Sequence, residues 1–125
     1  MVVSPTTGTV FALLNQNGLH RSTDSGSTFT RVLGTDGKSA YSDVAVDATG
    51  NLLAVMYNLV DFDASGVYRS VDDGATWIEV FENNGTEFPD PYNLTYGRTV
   101  VALSASNPDI AYLLTGLGAE LEPNT

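Results

Sequence analysis

Residues 18–29 read GLHRSTDSGSTF and residues 66–77 read GVYRSVDDGATW, which are two versions of one twelve-residue phrase. The copies lie 48 residues apart and share six identical positions, and Trp77 takes the place of Phe29 at the last one. A repeat of this length indicates a protein built from stacked copies of one supersecondary unit. The phrase also raises a question of chemistry, because Asp24 and Asp72 are either a pair of catalytic carboxylates or two instances of one turn.

The apolar segments around the two phrases are short, rich in β-branched and aromatic residues, and bounded by Gly, Asn, Asp and Pro. None has apolar residues at i, i+3 and i+4 over a length that would form a helix. The sequence therefore predicts an all-β chain, and Asn17-Gly18 predicts a two-residue hairpin turn. Strands are predicted at residues 9–15, 18–23, 29–33, 41–47, 51–58, 66–71, 77–82, 98–104 and 110–115.

Grouped by the repeat, the strands fall into units of four, here named A to D, in which the phrase covers strand C and the turn into strand D. Four antiparallel strands in 40–50 residues are typical of a β-propeller blade. Residues 1–34 then form a partial blade that begins with the end of strand A, and residues 41–82 form a complete blade. Residues 98–116 begin a third blade, and residues 117–125 are a tail.

The repeat predicts roughly 2.6 blades, whereas propellers close with about four to eight, because only a ring gives every blade face a neighbour. We therefore expect a segment of a larger propeller. Its partners would be the remaining blades or another chain.

The repeated phrase resembles the Asp-box, or bacterial neuraminidase repeat, whose pattern is Ser/Thr-x-Asp-x-Gly-x-Thr-Trp/Phe. This family includes sialidases, xyloglucan-cleaving glycosidases, sortilin-type receptors, a photosystem assembly factor and many secreted bacterial proteins. The resemblance implies a propeller whose box is a folding element of the C–D hairpin, usually remote from any catalytic face. The matching residues are Ser22, Asp24, Gly26, Thr28 and Phe29 in the first box, and Ser70, Asp72, Gly74, Thr76 and Trp77 in the second.

The residue types of the box also have a direct physical interpretation. Aspartate is a short acceptor for the N–H groups of a turn, glycine permits a positive φ, and threonine can bond locally. Phe29 and Trp77 would start strand D, where we expect adjacent blades to bury them. The favoured interpretation of Asp24 and Asp72 is therefore structural.

Catalytic residues are harder to find in the sequence. A glycosidase needs two carboxyl groups across the scissile bond, but any pair is unremarkable among fifteen acidic residues. Sialidases resemble one another in an arginine triad, whereas Arg21 and Arg69 occupy equivalent repeat positions and therefore belong to the repeat. Arg98, at the start of an A strand, is the only arginine that we keep as a candidate. The Asp-Val-Gly-Gly motif of xyloglucanase-like enzymes is absent from the sequence. We assign no catalytic residue.

Two other features are candidates for binding. Asp61, Asp63 and Ser65 match the opening of a calcium loop, although an acidic hairpin loop is the favoured interpretation. The long connection FENNGTEFPDPYNLTYG could present Phe88, Tyr92, Tyr96 and the adjacent Arg98 to a ligand, or its aromatics could anchor the loop to the blade. This connection also contains two glycosylation patterns, at Asn84 and Asn93. The only histidine, His20, is replaced by Tyr68 in the second copy, and we expect it to fill space.

Charge limits the partners. Fifteen acidic and five basic residues give a net charge of -10, and the basic residues are scattered, so nucleic acid is not expected to bind. No apolar run is long enough to span a bilayer.

We expect a non-catalytic segment that binds a glycan or a protein or serves as a scaffold. We expect it to act outside the cell or in the cell envelope, with its export signal lying outside this chain. The alternative is a fragment of a sialidase-like or xyloglucanase-like glycoside hydrolase whose catalytic residues lie mostly elsewhere.

Overall fold

The described residues of the computed structural model form ten β-strands and no helix. The structure describes residues 1–14, 17–34, 39–58, 66–82, 96–107 and 109–117. The strands are β1 (Val2–Val3), β2 (Val10–Leu14), β3 (Gly18–Ser22), β4 (Thr30–Leu33), β5 (Ser39–Val46), β6 (Leu52–Asn58), β7 (Gly66–Ser70), β8 (Ile78–Glu82), β9 (Tyr96–Leu103) and β10 (Ala111–Leu117).

The strands form three antiparallel sheets. The first sheet has the order β1-β2-β3-β4, the second has the order β5-β6-β7-β8, and the third contains β9 and β10. The predicted all-β class and the four-stranded antiparallel unit are therefore confirmed. All nine predicted strands are present with bounds within two residues, and β1 is the expected end of a strand A. None of the three sheets is closed on itself.

The first two sheets are copies of each other in register. Phe11 of β2 pairs with Arg21 of β3, and Leu53 of β6 pairs with Arg69 of β7. Equivalent positions are therefore 42 residues apart in strand B and 48 apart in strand C. The difference arises because the connection between these two strands is six residues longer in the second sheet.

The first sheet packs face to face on the second. Phe11 and Leu19 project from the first sheet and are fully buried against Leu52 and Ala54 of the second, with Trp77 packed at the edge of this cluster. Side chains alternate across a strand, so each sheet has two distinct faces. We call the face of the first sheet that carries Phe11 its front face, and the face of the second sheet that carries Leu52 its back face.

The same front-to-back packing recurs between the second and third sheets. Val55 and Val67, on the front face of the second sheet, share a buried cluster with Val101 of β9, and Leu113 of β10 packs against it. The Asp43 carboxylate of β5 also accepts a hydrogen bond from the Val101 backbone N–H at 2.9 Å. The A strands β5 and β9 therefore lie beside each other.

Three local expectations differ from the structure. Phe29 precedes β4 and is 42% exposed, because it lies on the back of the first sheet, where none of the described residues forms a covering sheet. Gly18 is paired with Leu14 as a strand residue and does not lie within a two-residue turn. Strand β9 begins at Tyr96, two residues earlier than predicted, so Tyr96 belongs to a strand and not to the preceding connection.

Candidate functional site

Each repeated phrase folds into a compact turn held by its own serine and aspartate. In the first box, the Ser22 hydroxyl donates to Asp24 Oδ1 at 2.7 Å and accepts from the Gly26 N–H at 2.9 Å. The backbone N–H of Thr28 donates to Asp24 Oδ1 at 2.8 Å, and the Thr28 hydroxyl donates to Asp24 Oδ2 at 2.5 Å. Both carboxylate oxygens of Asp24 are therefore engaged within the turn.

The second box has the same hydrogen bonds with nearly the same lengths. Ser70 donates to Asp72 Oδ1 at 2.8 Å and accepts from the Gly74 N–H at 2.9 Å. Thr76 donates to Asp72 through its N–H at 2.9 Å and through its hydroxyl at 2.5 Å. This box adds one bond, from Trp77 Nε1 to the Gly74 carbonyl at 3.1 Å.

These hydrogen bonds stabilise the ionised carboxylates. In each box the threonine hydroxyl, followed by the threonine N–H and the serine hydroxyl, lowers the pKa of Asp24 and of Asp72 to about 2. A general acid near neutral pH needs a carboxyl pKa that is raised instead. The two repeated aspartates therefore have the protonation behaviour of turn-stabilising groups.

The residue after the box aspartate differs between the copies, and this difference has a structural consequence. It is Ser25 in the first box and Asp73 in the second, and both adopt a positive φ, 61° and 59°. The Asp73 carboxylate accepts hydrogen bonds from the Thr7 hydroxyl, at 2.8 Å, and from the Thr9 hydroxyl, and both threonines lie in the connection between β1 and β2 of the first sheet. Asp73 therefore links the second box to the neighbouring sheet.

Arginine 21 completes this contact between the sheets. Its Nη2 lies 3.3 Å from Asp73 Oδ2, and its Nε donates to the Asp73 carbonyl at 2.7 Å. Burial tends to raise the pKa of Asp73, but bonds from Thr9, Thr7 and Arg21 outweigh it and hold that pKa below its usual value. We call this set the Asp73 junction: Thr7, Thr9, Arg21 and Asp73.

The glycine of the second box lies against the first sheet as well. A Cβ at Gly74 would meet Phe11 Cε1 at 2.3 Å, and Phe11 is fully buried. A Cβ at Gly26 would approach only Phe29 of its own box, at 3.8 Å. The two boxes have the same internal bonds, but only the second is packed against another sheet within the described chain.

The second sheet carries the equivalents of the residues that receive this box. Arg69, Leu53 and Asn51 stand where Arg21, Phe11 and Thr9 stand in the first sheet. They line a cleft of about 250 Å³ whose far wall is formed by the third sheet through Leu103, Asp109 and Ala111. Arg69 is exposed, and within the described residues it forms no salt bridge. We call this space the Arg69 cleft.

The contact between the second box and the first sheet was not predicted, although the sequence contains two signals for it. Arg21 and Arg69 are the only basic residues kept in both copies of the phrase, and Asp73 is the acidic residue that the first copy lacks. A repeated arginine and an unrepeated aspartate suggest a contact between neighbouring repeats. The separation of 52 residues between Arg21 and Asp73 hides their contact until the stacking order of the sheets is known.

The other candidates are placed as follows. His20 lies in β3, half-buried, with Nδ1 3.4 Å from the Gly18 carbonyl oxygen. Arg98 lies in β9 with Tyr96. The remaining candidate residues lie outside the described residues: Asp61, Asp63, Ser65, Phe88, Tyr92, Asn84 and Asn93.

Among the residues that the structure describes, no group of three or more His, Cys, Asp or Glu side chains is placed to hold a metal ion. These residues also contain no helix long and apolar enough to cross a membrane. No protein-family model, no curated protein and no solved structure matches this chain.

Proposed function

We propose that the three sheets are successive blades of an Asp-box β-propeller and that the chain acts as a non-catalytic binding or scaffold segment for a glycan or a protein. The observation that carries the proposal is the repeated front-to-back packing. The front of the first sheet packs on the back of the second, and the front of the second packs on the back of the third. Blades of a propeller stack in this way around an axis, with strands of one kind lying innermost.

The exposed apolar faces at the two ends of the stack support the proposal that further blades pack there. Tyr112 and Leu114, on the front of the third sheet, are 65% and 71% exposed, although their equivalents in the second sheet face a neighbour. Val3 and Phe29, on the back of the first sheet, are 53% and 42% exposed. Apolar faces of this kind are normally covered by another part of the protein or by a partner.

The state of the carboxyl groups supports a non-catalytic role for the boxes. Asp24, Asp47, Asp72 and Asp73 are the described carboxyl groups whose pKa is shifted, and all four pKa values are lowered. Each of these groups is bonded within a turn or across the sheet junction. A glycosidase acid requires a shift in the opposite direction.

The negative net charge of the chain limits which ligands can approach it. The potential of a chain with a net charge of -10 disfavours the approach of anionic sugars such as sialic acid and of phosphate groups. A neutral glycan, or a basic protein surface, fits this field better. The resemblance of the boxes to those of secreted bacterial proteins supports the proposal that the protein acts outside the cell or in the cell envelope.

The proposal is tested by measuring binding and turnover on the same sample. The chain is applied to an array of neutral and sialylated glycans and to a pull-down with extracellular proteins, and it is incubated with a fluorogenic sialoside and with xyloglucan. We expect saturable binding to neutral glycans or to a protein, without product formation. Release of sugar that persists after repurification would contradict the non-catalytic role and favour a glycoside hydrolase fragment. Absence of any glycan or protein partner would contradict the binding role.

A further inference from the structure

We propose that the Arg69 cleft is a docking site for the turn of a further Asp-box hairpin, one that is not part of residues 1–125 and that carries a carboxylate directly after its box aspartate. This inference rests on the propeller arrangement proposed above. Its ligand is defined by chemistry: a β-hairpin with the pattern Arg-Ser/Thr-x-Asp-Asp/Glu-Gly-x-Thr.

An occupied copy of the same site lies within the molecule. In the first sheet, Phe11 and Arg21 receive Gly74 and Asp73 of the second box, and Thr9 donates to the same carboxylate. Strand register assigns the equivalent positions of the second sheet without ambiguity. The Arg69 cleft is therefore the counterpart of a site that is filled one sheet earlier.

The residues that line the cleft match an acidic turn in chemistry. Leu53 offers an apolar surface where Phe11 covers Gly74, and Arg69 offers a guanidinium where Arg21 meets Asp73. Asn51 offers an amide in place of the Thr9 hydroxyl. Its Nδ2 donates one hydrogen bond to Thr49 Oγ1 at 3.0 Å, and its second N–H can donate to a carboxylate. Arginine binds carboxylates with a directed pair of N–H groups, so the cleft is suited to an acidic turn.

Two acidic residues also line the cleft and must be considered. Asp47 Oδ1 accepts the N–H of Thr49, the Thr49 hydroxyl and the N–H of Asn51, at 2.7–2.9 Å, so it is engaged in its own turn. Asp109 is exposed to solvent, where its charge is screened. Arg69 is consequently the group in the cleft best placed to meet an incoming carboxylate.

Among the described residues, the third sheet has an unpaired edge at β10. Strand β10 pairs with β9 on one side, and no described strand pairs with its other side. In the first two sheets the equivalent side pairs with strand C, which leads directly into the box. One hairpin would therefore pair with β10 through its strand C and place its box turn in the adjacent Arg69 cleft.

Pairing of this kind is β-augmentation, in which main-chain hydrogen bonds provide affinity and side-chain pockets provide specificity. The first box of a second copy does not suit the site. It carries Ser25 where a carboxylate is needed. It also belongs to a complete four-stranded sheet, and the place beside the second sheet that such a sheet would need is already taken by the third sheet.

The test uses the 125-residue chain and a synthetic hairpin whose sequence is that of residues 66–82, which carries the box known to dock in the first sheet. The chain is labelled with ¹⁵N and titrated with the hairpin at physiological ionic strength. We expect saturable binding, with changes at alternate amides of β10 and at the Arg69 side-chain N–H. An Asp73→Asn hairpin should bind roughly tenfold more weakly, because it loses the charged hydrogen bonds.

A matched pair of protein variants locates the contact. Arg69→Gln should weaken binding of the parent hairpin roughly tenfold, and Arg31→Gln, the same charge change in β4 of the first sheet, should leave it unchanged. The peptide variant keeps the inference testable if Arg69→Gln does not fold, since the protein is then unaltered.

Several results would overturn the inference. Absence of binding, or equal binding of the parent and Asp73→Asn hairpins, would each do so. Spectral changes confined to Phe11 and Arg21 would also overturn it, because they would mean that the peptide displaces the chain's own second hairpin. Self-association of the chain without peptide would assign the cleft to a second copy instead. Failure of hairpin binding with an intact contact between Phe11 and Gly74 would reject this inference and leave the propeller proposal standing.

Discussion

Replacing the glycine of each box by alanine should destabilise the protein by very different amounts. Gly26 and Gly74 have similar backbone angles, φ of 85° and 76°, and the same bond from their N–H to the box serine. They differ in what lies beside them. A methyl group at Gly26 would make only ordinary van der Waals contact with the Phe29 ring of its own box, at 3.8 Å, whereas a methyl group at Gly74 would overlap the ring of Phe11.

The magnitude follows from two separate costs. Alanine at a positive φ costs about 1–2 kcal/mol at either site. At Gly74 the added methyl would lie 2.3 Å from Phe11 Cε1 and 2.8 Å from Cζ, and this ring is fully buried and cannot move into solvent. Overpacking of this kind costs typically about 1–3 kcal/mol more. We therefore expect a loss of about 1–2 kcal/mol for Gly26→Ala and about 2–5 kcal/mol for Gly74→Ala.

Urea unfolding measures the difference. The chain has one tryptophan, Trp77, packed between the first two sheets, and its fluorescence can be followed together with far-UV circular dichroism. The double variant Phe11→Leu with Gly74→Ala is the control, because a smaller side chain at position 11 should recover part of the loss through non-additivity. Equal losses at the two glycines, or strict additivity in the double variant, would refute packing of the second box on Phe11.

Three further predictions address the charged groups. Asp73→Asn should lower the unfolding free energy by about 2 kcal/mol, because it removes charged hydrogen bonds. A double-mutant cycle of Asp73→Asn with Arg21→Gln should show a coupling energy of about 1 kcal/mol. A coupling energy near zero would contradict the Asp73 junction. Acid should destabilise the protein: the pKa of Asp24 and of Asp72 is lowered to about 2, so their contribution is complete above the unfolded pKa near 4 and is lost as the pH falls toward 2. Urea midpoints that stay constant from pH 5 to pH 2.5 would contradict this. Finally, calcium should leave the melting temperature unchanged if residues 61–65 are an acidic hairpin loop, whereas an increase of several degrees that Asp61→Asn abolishes would establish the calcium site.

Much of the fold was predictable because its signals are local. The alternation of short β-branched segments with Gly, Asn and Pro turns predicted all nine strands, and the repeat grouped them into units of four. The short β1 was expected from the similarity of the head of the chain to the end of a strand A. Local signals were sufficient because each hairpin pairs strands that are adjacent in sequence.

The contacts between sheets could not be predicted in the same way. Phe29 and Trp77 hold the same position in the repeat, yet only Trp77 packs into a core, since burial depends on whether a neighbouring sheet is present. The Asp73 junction likewise joins residues that no spacing rule connects. Stacking order decides both outcomes, and it becomes visible only in the three-dimensional arrangement.

The central claim is that successive repeats stack front to back, with the second box seated on the first sheet. Nuclear Overhauser effects between the Phe11 ring protons and the Gly74 Hα protons measure this contact directly. The structure predicts strong cross-peaks, alongside those from the pairing of Phe11 with Arg21 within the first sheet. Intact cross-peaks within the sheet, without any between Phe11 and Gly74, would contradict the claim.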